Sequence, residues 1–176
     1  MRIISGNNKG HRLNPPTTIT ARPTTDFAKE GLFNVLNNRV DFEELTALDL
    51  FSGTGGISFE LASRGCPSLT AVELNNKHAA YINKVCKELK FDSIHLIQGD
   101  VFKFIKSCSV KFDFIFADPP YELPTLDSLP DLVFEHELLK ADGFFILEHP
   151  SRKDFSSHPH FVEHRHYGNV NFSFFE

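Results

Sequence analysis

Apolar and polar positions follow two periods along this chain, and the switching between them is its main structural signal. Residues 46–51 (TALDLF), 68–74 (SLTAVEL), 94–98, 112–117 (FDFIFA) and 143–148 are short runs rich in β-branched, aromatic and aliphatic side chains, bounded by turn formers. They predict buried strands. Helical spacing fills the intervals. One helix follows a Gly-rich turn and runs to about Arg64, stopped by Gly65. A second covers about 76–90 with Ala79, Ile82, Cys86 and Leu89 on one stripe, a short one covers about 101–107, and another lies near 126–139. Before this series, a helix of about 25–37 puts Ala28, Leu32, Val35 and Leu36 on one face, with Thr24 or Thr25 as its cap and Asp26 at the positive end of its dipole. Gly31 inside it costs about 1 kcal/mol relative to Ala, so a close contact is expected to require it.

Strands alternating with helices predict a parallel sheet with right-handed crossovers. The two ends of the chain differ from this. Residues 2–5 and 11–13 flank Gly6-Asn7-Asn8-Lys9-Gly10 and predict a small N-terminal β-hairpin, after which Asn14-Pro15-Pro16 breaks regular structure. Residues 160–167 and 169–175, joined at Gly168-Asn169, predict an antiparallel hairpin at one sheet edge. The expected organisation is an extension over residues 1–21 followed by one domain over 22–176, a length that suits a single hydrophobic core.

Bulk composition changes this picture only at the charges. Apolar content of 41% and charged content of 23% are ordinary for a globular protein. No apolar run approaches the ~18 residues of a membrane span, and the opening Met-Arg-Ile-Ile-Ser-Gly lacks a signal-peptide core. Cys66, Cys86 and Cys108 are unpaired by spacing, which suits a reducing cytoplasm and argues against a disulfide framework or zinc site. The four late histidines, His158, His160, His164 and His166, lack a partner pattern for a metal, and no metal is expected. Net charge is −5, but residues 1–39 carry +4, leaving −9 on the remainder. A basic arm on an acidic body suggests phosphate contact by the arm, against the alternative of a solvated face.

Chemistry concentrates at the carboxyl ends of the predicted strands, where open α/β sheets bind ligands. Asp49-Leu50-Phe51-Ser52-Gly53-Thr54-Gly55-Gly56 joins the first strand of the alternation to its helix, and its glycines let backbone approach a ligand. Glu73 ends the next strand 20 residues after Gly53, beside Leu74, where a carboxylate can accept both hydroxyls of a ribose. The third glycine directly follows the second, and Ser58 stands where a dinucleotide fingerprint has its last glycine. That spacing disfavours a nicotinamide oxidoreductase. Asp49, four residues before the first glycine, suits an ammonium group such as that of S-adenosylmethionine. Asp100 can accept from an adenine amine, or simply cap a helix, with Val101 beside the ring.

The last strand end is Asp118-Pro119-Pro120-Tyr121. The prolines cannot donate to a ladder and hold their predecessors extended. A conjugated exocyclic amine is a poor nucleophile because its lone pair is delocalised. Hydrogen bonds from its protons to the Asp118 carboxylate and the Pro119 carbonyl favour a pyramidal nitrogen, and Tyr121 can stack on an extruded base. The same geometry serves a guanine amine, an adenine amine in DNA or a protein glutamine, and it leaves the acceptor open.

Over nearly its whole length the chain resembles the RsmD-type ribosomal RNA methyltransferases. The matching segments are RIISGNNKGHRL, RPTTDFAKEGLFNVL, LDLFSGTGGISFELASRG, AVELN, GDVFKF, FDFIFADPPY and YGNVNFSFF. DPPY is shared with other amino-methylating enzymes, whereas the basic segment with RPTTD before LDLFSGTGG is more specific. The resemblance implies a Rossmann-like class I methyltransferase fold, a mostly parallel seven-stranded sheet with an antiparallel last strand, plus the N-terminal β-hairpin helping to hold RNA. It implies S-adenosylmethionine bound around Asp49, Gly53, Gly55, Glu73 and Asp100, with Phe51, Ser52, Thr54, Leu74 and Val101 as further candidates. It places Asp118, Pro119, Pro120 and Tyr121 around the target amine, the 2-amino group of one guanine in small-subunit (16S) ribosomal RNA. Arg2, Lys9, Arg12 and Arg22 are the candidate RNA contacts. Because phosphate neutralisation dominates non-specific binding, the acidic body favours an assembling or assembled ribosomal particle over free RNA as substrate. A monomer is expected.

Overall fold

Thr46–Leu50, β1, is the strand from which the sheet grows in both directions. In the computed structural model, which describes residues 1–17 and 25–176, β1 pairs in parallel with β2 (Ser68–Glu73) on one side and β4 (Phe112–Ala117) on the other. β3 (Ile94–Gln98) flanks β2, and β5 (Leu139–His149) continues the parallel sheet beyond β4. β7 (Val170–Phe175) pairs antiparallel with β5, and β6 (Phe161–Tyr167) closes that edge. The resulting order is β3-β2-β1-β4-β5-β7-β6, with β7 alone running against the others. The seven-stranded, mostly parallel sheet and its antiparallel last strand are therefore those the sequence predicts.

Alternation along the strands divides the core into two layers, because successive side chains leave a sheet on opposite faces. Phe114, Phe116, Phe144, Ile146, Phe172 and Phe174 form one layer with α1 (Asp26–Leu36) and α2 (Gly56–Ser63). Ile115, Ala117, Phe145, Leu147 and Phe175 form the other with α4 (Val101–Ser107) and α5 (Leu129–Glu135). Both faces of β4, β5 and β7 are thus buried, which explains their near-continuous apolar runs. α3 (Asn76–Leu89) buries Ala79, Tyr81, Ile82 and Val85. Its stripe is rotated from the predicted one, with Cys86 and Leu89 at its half-covered margin. Among the described residues no helix is long and apolar enough to cross a membrane.

Thr25 caps α1 by accepting from the Ala28 amide at 3.2 Å. Gly31 lies against Tyr167 of β6, where a Cβ would stand 2.3 Å from the ring. That is the close contact its position in a helix calls for, and the Tyr167 hydroxyl donates to the Gly31 carbonyl at 3.3 Å.

Two predicted elements change length. The helix near 126–139 becomes a single turn of 3-10 helix at Leu126–Ser128 followed by α5, with Pro130 in its first turn. It stops at Glu135 because Glu137 takes a left-handed φ of 49° and Leu138 donates back to Val133. β5 then begins at Leu139, four residues earlier than expected, and crosses Gly143 with a register shift against β4.

The predicted N-terminal hairpin is reduced to a short antiparallel pairing of its flanks. Only one antiparallel bridge forms, Arg2 opposite Arg12, and neither flank is a strand. Other amides of the first flank and the turn go to α2. Ile4 and Ser5 donate to the Glu60 carboxylate at 2.7 and 3.0 Å, and Asn7 and Asn8 donate to Ser63. The arm both pairs with itself, Ile3 with His11 and Gly10 and Leu13 with Met1 through backbone hydrogen bonds of 2.8–3.0 Å, and is fastened to α2. Ile3 and Leu13 are buried in a cluster with Phe59, Ile82 and Phe91.

Candidate active site

The carboxyl ends of β1 through β5 open on one cavity of about 700 Å³, a volume suited to a nucleoside-sized ligand. Phe51 and Gly53 line it after β1, Glu73 and Leu74 at the end of β2, Asp100 to Phe102 at the start of α4, Asp118 to Tyr121 after β4, and Glu148 on β5.

One wall is organised by Glu73. This carboxylate is 7% exposed and accepts the Gly53 amide at 2.7 Å and the Asn75 amide at 2.7 Å. It therefore fixes the glycine turn to the end of β2. An ionised carboxylate has about four acceptor positions, so it retains capacity for hydroxyl groups of a ligand. His78, from the first turn of α3, brings Nδ1 to 3.4 Å from Glu73, and that nitrogen is buried without a hydrogen bond. Asp100 caps α4 by accepting the Lys103 amide at 2.9 Å while also facing the cavity. Val101, Phe102, Phe51 and the exposed Leu74 supply apolar surface. Phe51 holds a left-handed φ of 60°, a conformation that costs about 1–2 kcal/mol for a residue with a Cβ. Its ring meets Phe102 edge-on at 6.2 Å.

Below this wall lie the other residues of the glycine turn. Asp49, Ser52, Thr54 and Gly55 are near the cavity in sequence but do not line it. Asp49 is 1% exposed and accepts from the Ser58 hydroxyl at 2.5 Å, while Ser52 donates to the Asp49 carbonyl at 2.8 Å. Burial pushes the Asp49 carboxyl up to about 7, opposed by the Ser58 hydrogen bonds and reinforced by the charge of Glu73. Gly55 starts α2 with φ 79°, and a Cβ there would press to 2.7 Å from the Phe59 ring.

The opposite wall is the end of β4. Asp118, Pro119, Pro120 and Tyr121 come together on the cavity. The Tyr121 hydroxyl donates to Glu148 Oε1 at 3.1 Å, and Arg152 donates to the Tyr121 carbonyl at 2.9 Å and to Glu122 at 3.2 Å. Glu148 is 4% exposed.

The family model described as Conserved hypothetical protein 95 matches residues 1–176, the whole chain. The chain belongs to the RsmD family. Ribosomal RNA small subunit methyltransferase D of Buchnera aphidicola (strain Bp) is 30% identical to it over 148 residues, which cover 84% of this chain and 75% of that one. The solved structure of a hypothetical protein from Thermus thermophilus superposes with a TM-score of 0.88 at 25% identity, covering 100% of this chain and 99% of the other. A structure described as a "putative methyltransferase complexed with SAH" shares the fold, with a TM-score of 0.66 at 19% identity over 84% of this chain and 49% of that one.

The candidate RNA contacts of this RsmD-family chain are less uniformly available than its charge count suggests. Lys9 and Arg12 are exposed. Arg2 is half exposed and pairs with Glu30 at 3.0 Å and Asp26 at 3.6 Å. Arg22 lies outside the described residues. Lys29, counted in the basic arm, is an internal residue at 1% exposure. It sits 3.6 Å from the fully buried Glu60 and donates to the Arg2 carbonyl. Desolvation lowers its pKa, against the raising effect of Glu60. Arg39 is likewise engaged, with Glu163 and Glu176.

Sequence reasoning missed Glu148, His78 and Phe102 at the cavity. Glu148 was visible as an acid near the end of an apolar strand, the same signal that identified Glu73. His78 carried no signal, since nothing local says which helix face meets a neighbouring strand end. Among the late histidines, His158 approaches Asp131 at 3.2 Å and lies 5.8 Å, ring to ring, from His160, which stacks on Phe134 at 3.8 Å, and His164 meets Asn171.

Proposed function

We propose that this protein transfers a methyl group from S-adenosylmethionine to the exocyclic 2-amino group of a guanine in 16S ribosomal RNA. The observation that carries the reading is the single cavity in which the Glu73–Asp100 wall faces the Asp118–Tyr121 strand end. The donor set fits the cofactor. Glu73 offers a buried carboxylate to a ribose diol, Asp100 offers an acceptor to an adenine amine, and Val101, Phe102 and Phe51 offer apolar faces to the ring. The relative that acts on small-subunit ribosomal RNA and the structural neighbour holding SAH support the same assignment.

When bound, the cofactor's sulfonium supplies an activated methyl group and its own leaving group. The chain supplies position. The Asp118 carboxylate and the Pro119 carbonyl accept hydrogen bonds from the two protons of the target amine, drawing its nitrogen out of conjugation and aiming its lone pair across the cavity. Alignment of this kind supplies much of the rate for a reaction that already has a good leaving group. The proton that departs after transfer is the one hydrogen-bonded to Asp118. Pro119 and Pro120 keep the strand end rigid, and the Tyr121 ring supports a base extruded from its stack. Lys9 and Arg12 present charge to phosphates. The strongly acidic remainder of the chain favours a ribosomal particle, in which proteins add contacts, over free RNA.

Incubation with labelled S-adenosylmethionine and small ribosomal subunits lacking the modification tests this directly. One labelled guanine, methylated at N2, is expected. Label on an adenine, on DNA or on a protein glutamine would replace the reading with the corresponding acceptor.

A further inference from the structure

We propose that Glu148 is the residue that selects guanine, by accepting a hydrogen bond from the ring N1–H next to the reacting amine. The inference rests on the guanine-methylating reading above and extends it to a residue outside the Asp118–Tyr121 segment.

Geometry brings the two acids together. β4 and β5 run parallel with Ala117, the last residue of β4, opposite Leu147; Asp118 is the first residue past β4 and Glu148 the next residue of β5. Neighbouring strands lie about 4.8 Å apart, and side chains at matched positions leave the same face. Asp118 and Glu148 both line the cavity. The backbone of Glu148 is fixed, since β5 is paired on both sides and Glu148 itself stands opposite Phe172 of β7. The Tyr121 hydroxyl donates to Glu148 Oε1 at 3.1 Å, which links the carboxylate to the ring that supports the base.

A carboxylate at 4% exposure is costly unless it is hydrogen-bonded, and its presence on the cavity wall has a chemical use. The Watson–Crick edge of guanine carries two adjacent donors, the 2-amino group and N1–H. Adenine carries a donor beside N1, which is an acceptor. Two side-by-side carboxylates match the guanine edge, one acid for each donor, and set a lone pair against the adenine edge. Sites that hydrogen-bond a substrate N–H reject analogues lacking it far more strongly than apolar pockets reject a change of size.

The test compares guanine with 2-aminopurine at the target position of reconstituted small subunits. 2-Aminopurine keeps the reacting amine and the stacking face but has an unprotonated N1. Wild-type enzyme is expected to prefer guanine by roughly 10⁴-fold in kcat/KM, the low end of the range for a site that hydrogen-bonds a donor the analogue lacks. Glu148→Gln places an amide that can donate to N1, and it is expected to compress that preference by at least tenfold while leaving S-adenosylmethionine affinity, read by calorimetry, unchanged. An unchanged preference in Glu148→Gln, with both substrates slowed equally, overturns the assignment and leaves the methylation reading standing. Equal use of both bases by wild type overturns it without recourse to any variant, which covers a substituted protein that fails to fold. Failure of wild type to methylate guanine in the particle, with label appearing on another acceptor, overturns both readings together.

Discussion

On the β2–β3 side of the cavity the carboxylates are held by backbone amides, Glu73 by Gly53 and Asn75 and Asp100 by Lys103. On the β4–β5 side Glu148 is met by a side chain, the Tyr121 hydroxyl. Amides in turns and at helix starts are fixed by the fold, so the first wall is preset for its ligand at little entropic cost. A tyrosine side chain has rotatable bonds, so the second wall can adjust as a base arrives. The difference matches the tasks. Under the proposed assignment, the rigid wall would hold a cofactor of constant structure and the wall with the rotatable tyrosine an acceptor base delivered on a large RNA.

The sharpest way to separate the walls is Asp118→Ala. It should lower methyl transfer by about 10³-fold or more, in the range for loss of a group that handles the reacting proton, while the cofactor dissociation constant measured by calorimetry stays within about threefold. Loss of cofactor binding in parallel would merge the two walls into one. Glu73→Ala is the reciprocal change. Charge-assisted hydrogen bonds of about 1.5–3 kcal/mol each are removed, so cofactor affinity should fall by roughly 100-fold. The thermal midpoint should fall too, because the Gly53 and Asn75 amides lose their partner. Unaltered affinity in that variant would break the comparison.

Asp49 provides a smaller effect from beneath the first wall. Its folded pKa of about 7 lies above its ordinary 3.8, so between those values the folded chain keeps a proton that the unfolded chain has lost. Stability therefore falls as pH rises from about 4 to 7, by up to roughly 4 kcal/mol at 1.36 kcal/mol per unit. Asp49→Asn mimics the protonated form and should flatten that slope in urea titrations across the range. Its effect on cofactor affinity should be well below that of Glu73→Ala, since Asp49 does not line the cavity. The smallest change lies outside both walls. Lys9→Glu with Arg12→Glu should weaken capture of the ribosomal substrate and reduce the salt slope by about 0.7 per lost phosphate contact. Arg2→Glu should instead act mainly on the arm, because that side chain is paired with Asp26 and Glu30. An unaltered slope in the double variant would remove the arm from RNA capture.

Much of the site could be seen in the sequence because its pieces are local. A strand end, a glycine turn and an acid at the next strand end are each set by a few consecutive residues, so Glu73, Asp100 and the Asp118–Tyr121 segment were found with their elements. Errors arose where a distant partner took over a local preference. The hairpin pattern of residues 2–13 keeps only a short pairing while Ile4, Ser5, Asn7 and Asn8 bond to Glu60 and Ser63 of α2, and Lys29 left the charged surface for the Glu60 carboxylate. Removing Glu60 would strand that buried ammonium, a change that costs about 3–5 kcal/mol in comparable pairs.

By itself, the sequence determined the alternation of strands and helices, the sharp ends of β1 and β4, and the chemical types gathered at the carboxyl edge. Periodicity, glycine and proline act through the backbone over a few residues, so no tertiary information is needed to read them. Tertiary structure decided which acids share a wall. Strand order places β5 beside β4 and sets Glu148 next to Asp118, 30 positions apart in the chain. It also decided that Asp49 lies under the glycine turn, bonded to Ser58, and that the basic arm is partly internal. Burial and hydrogen-bond partnership are properties of packed neighbours, and only the fold brings those neighbours into contact.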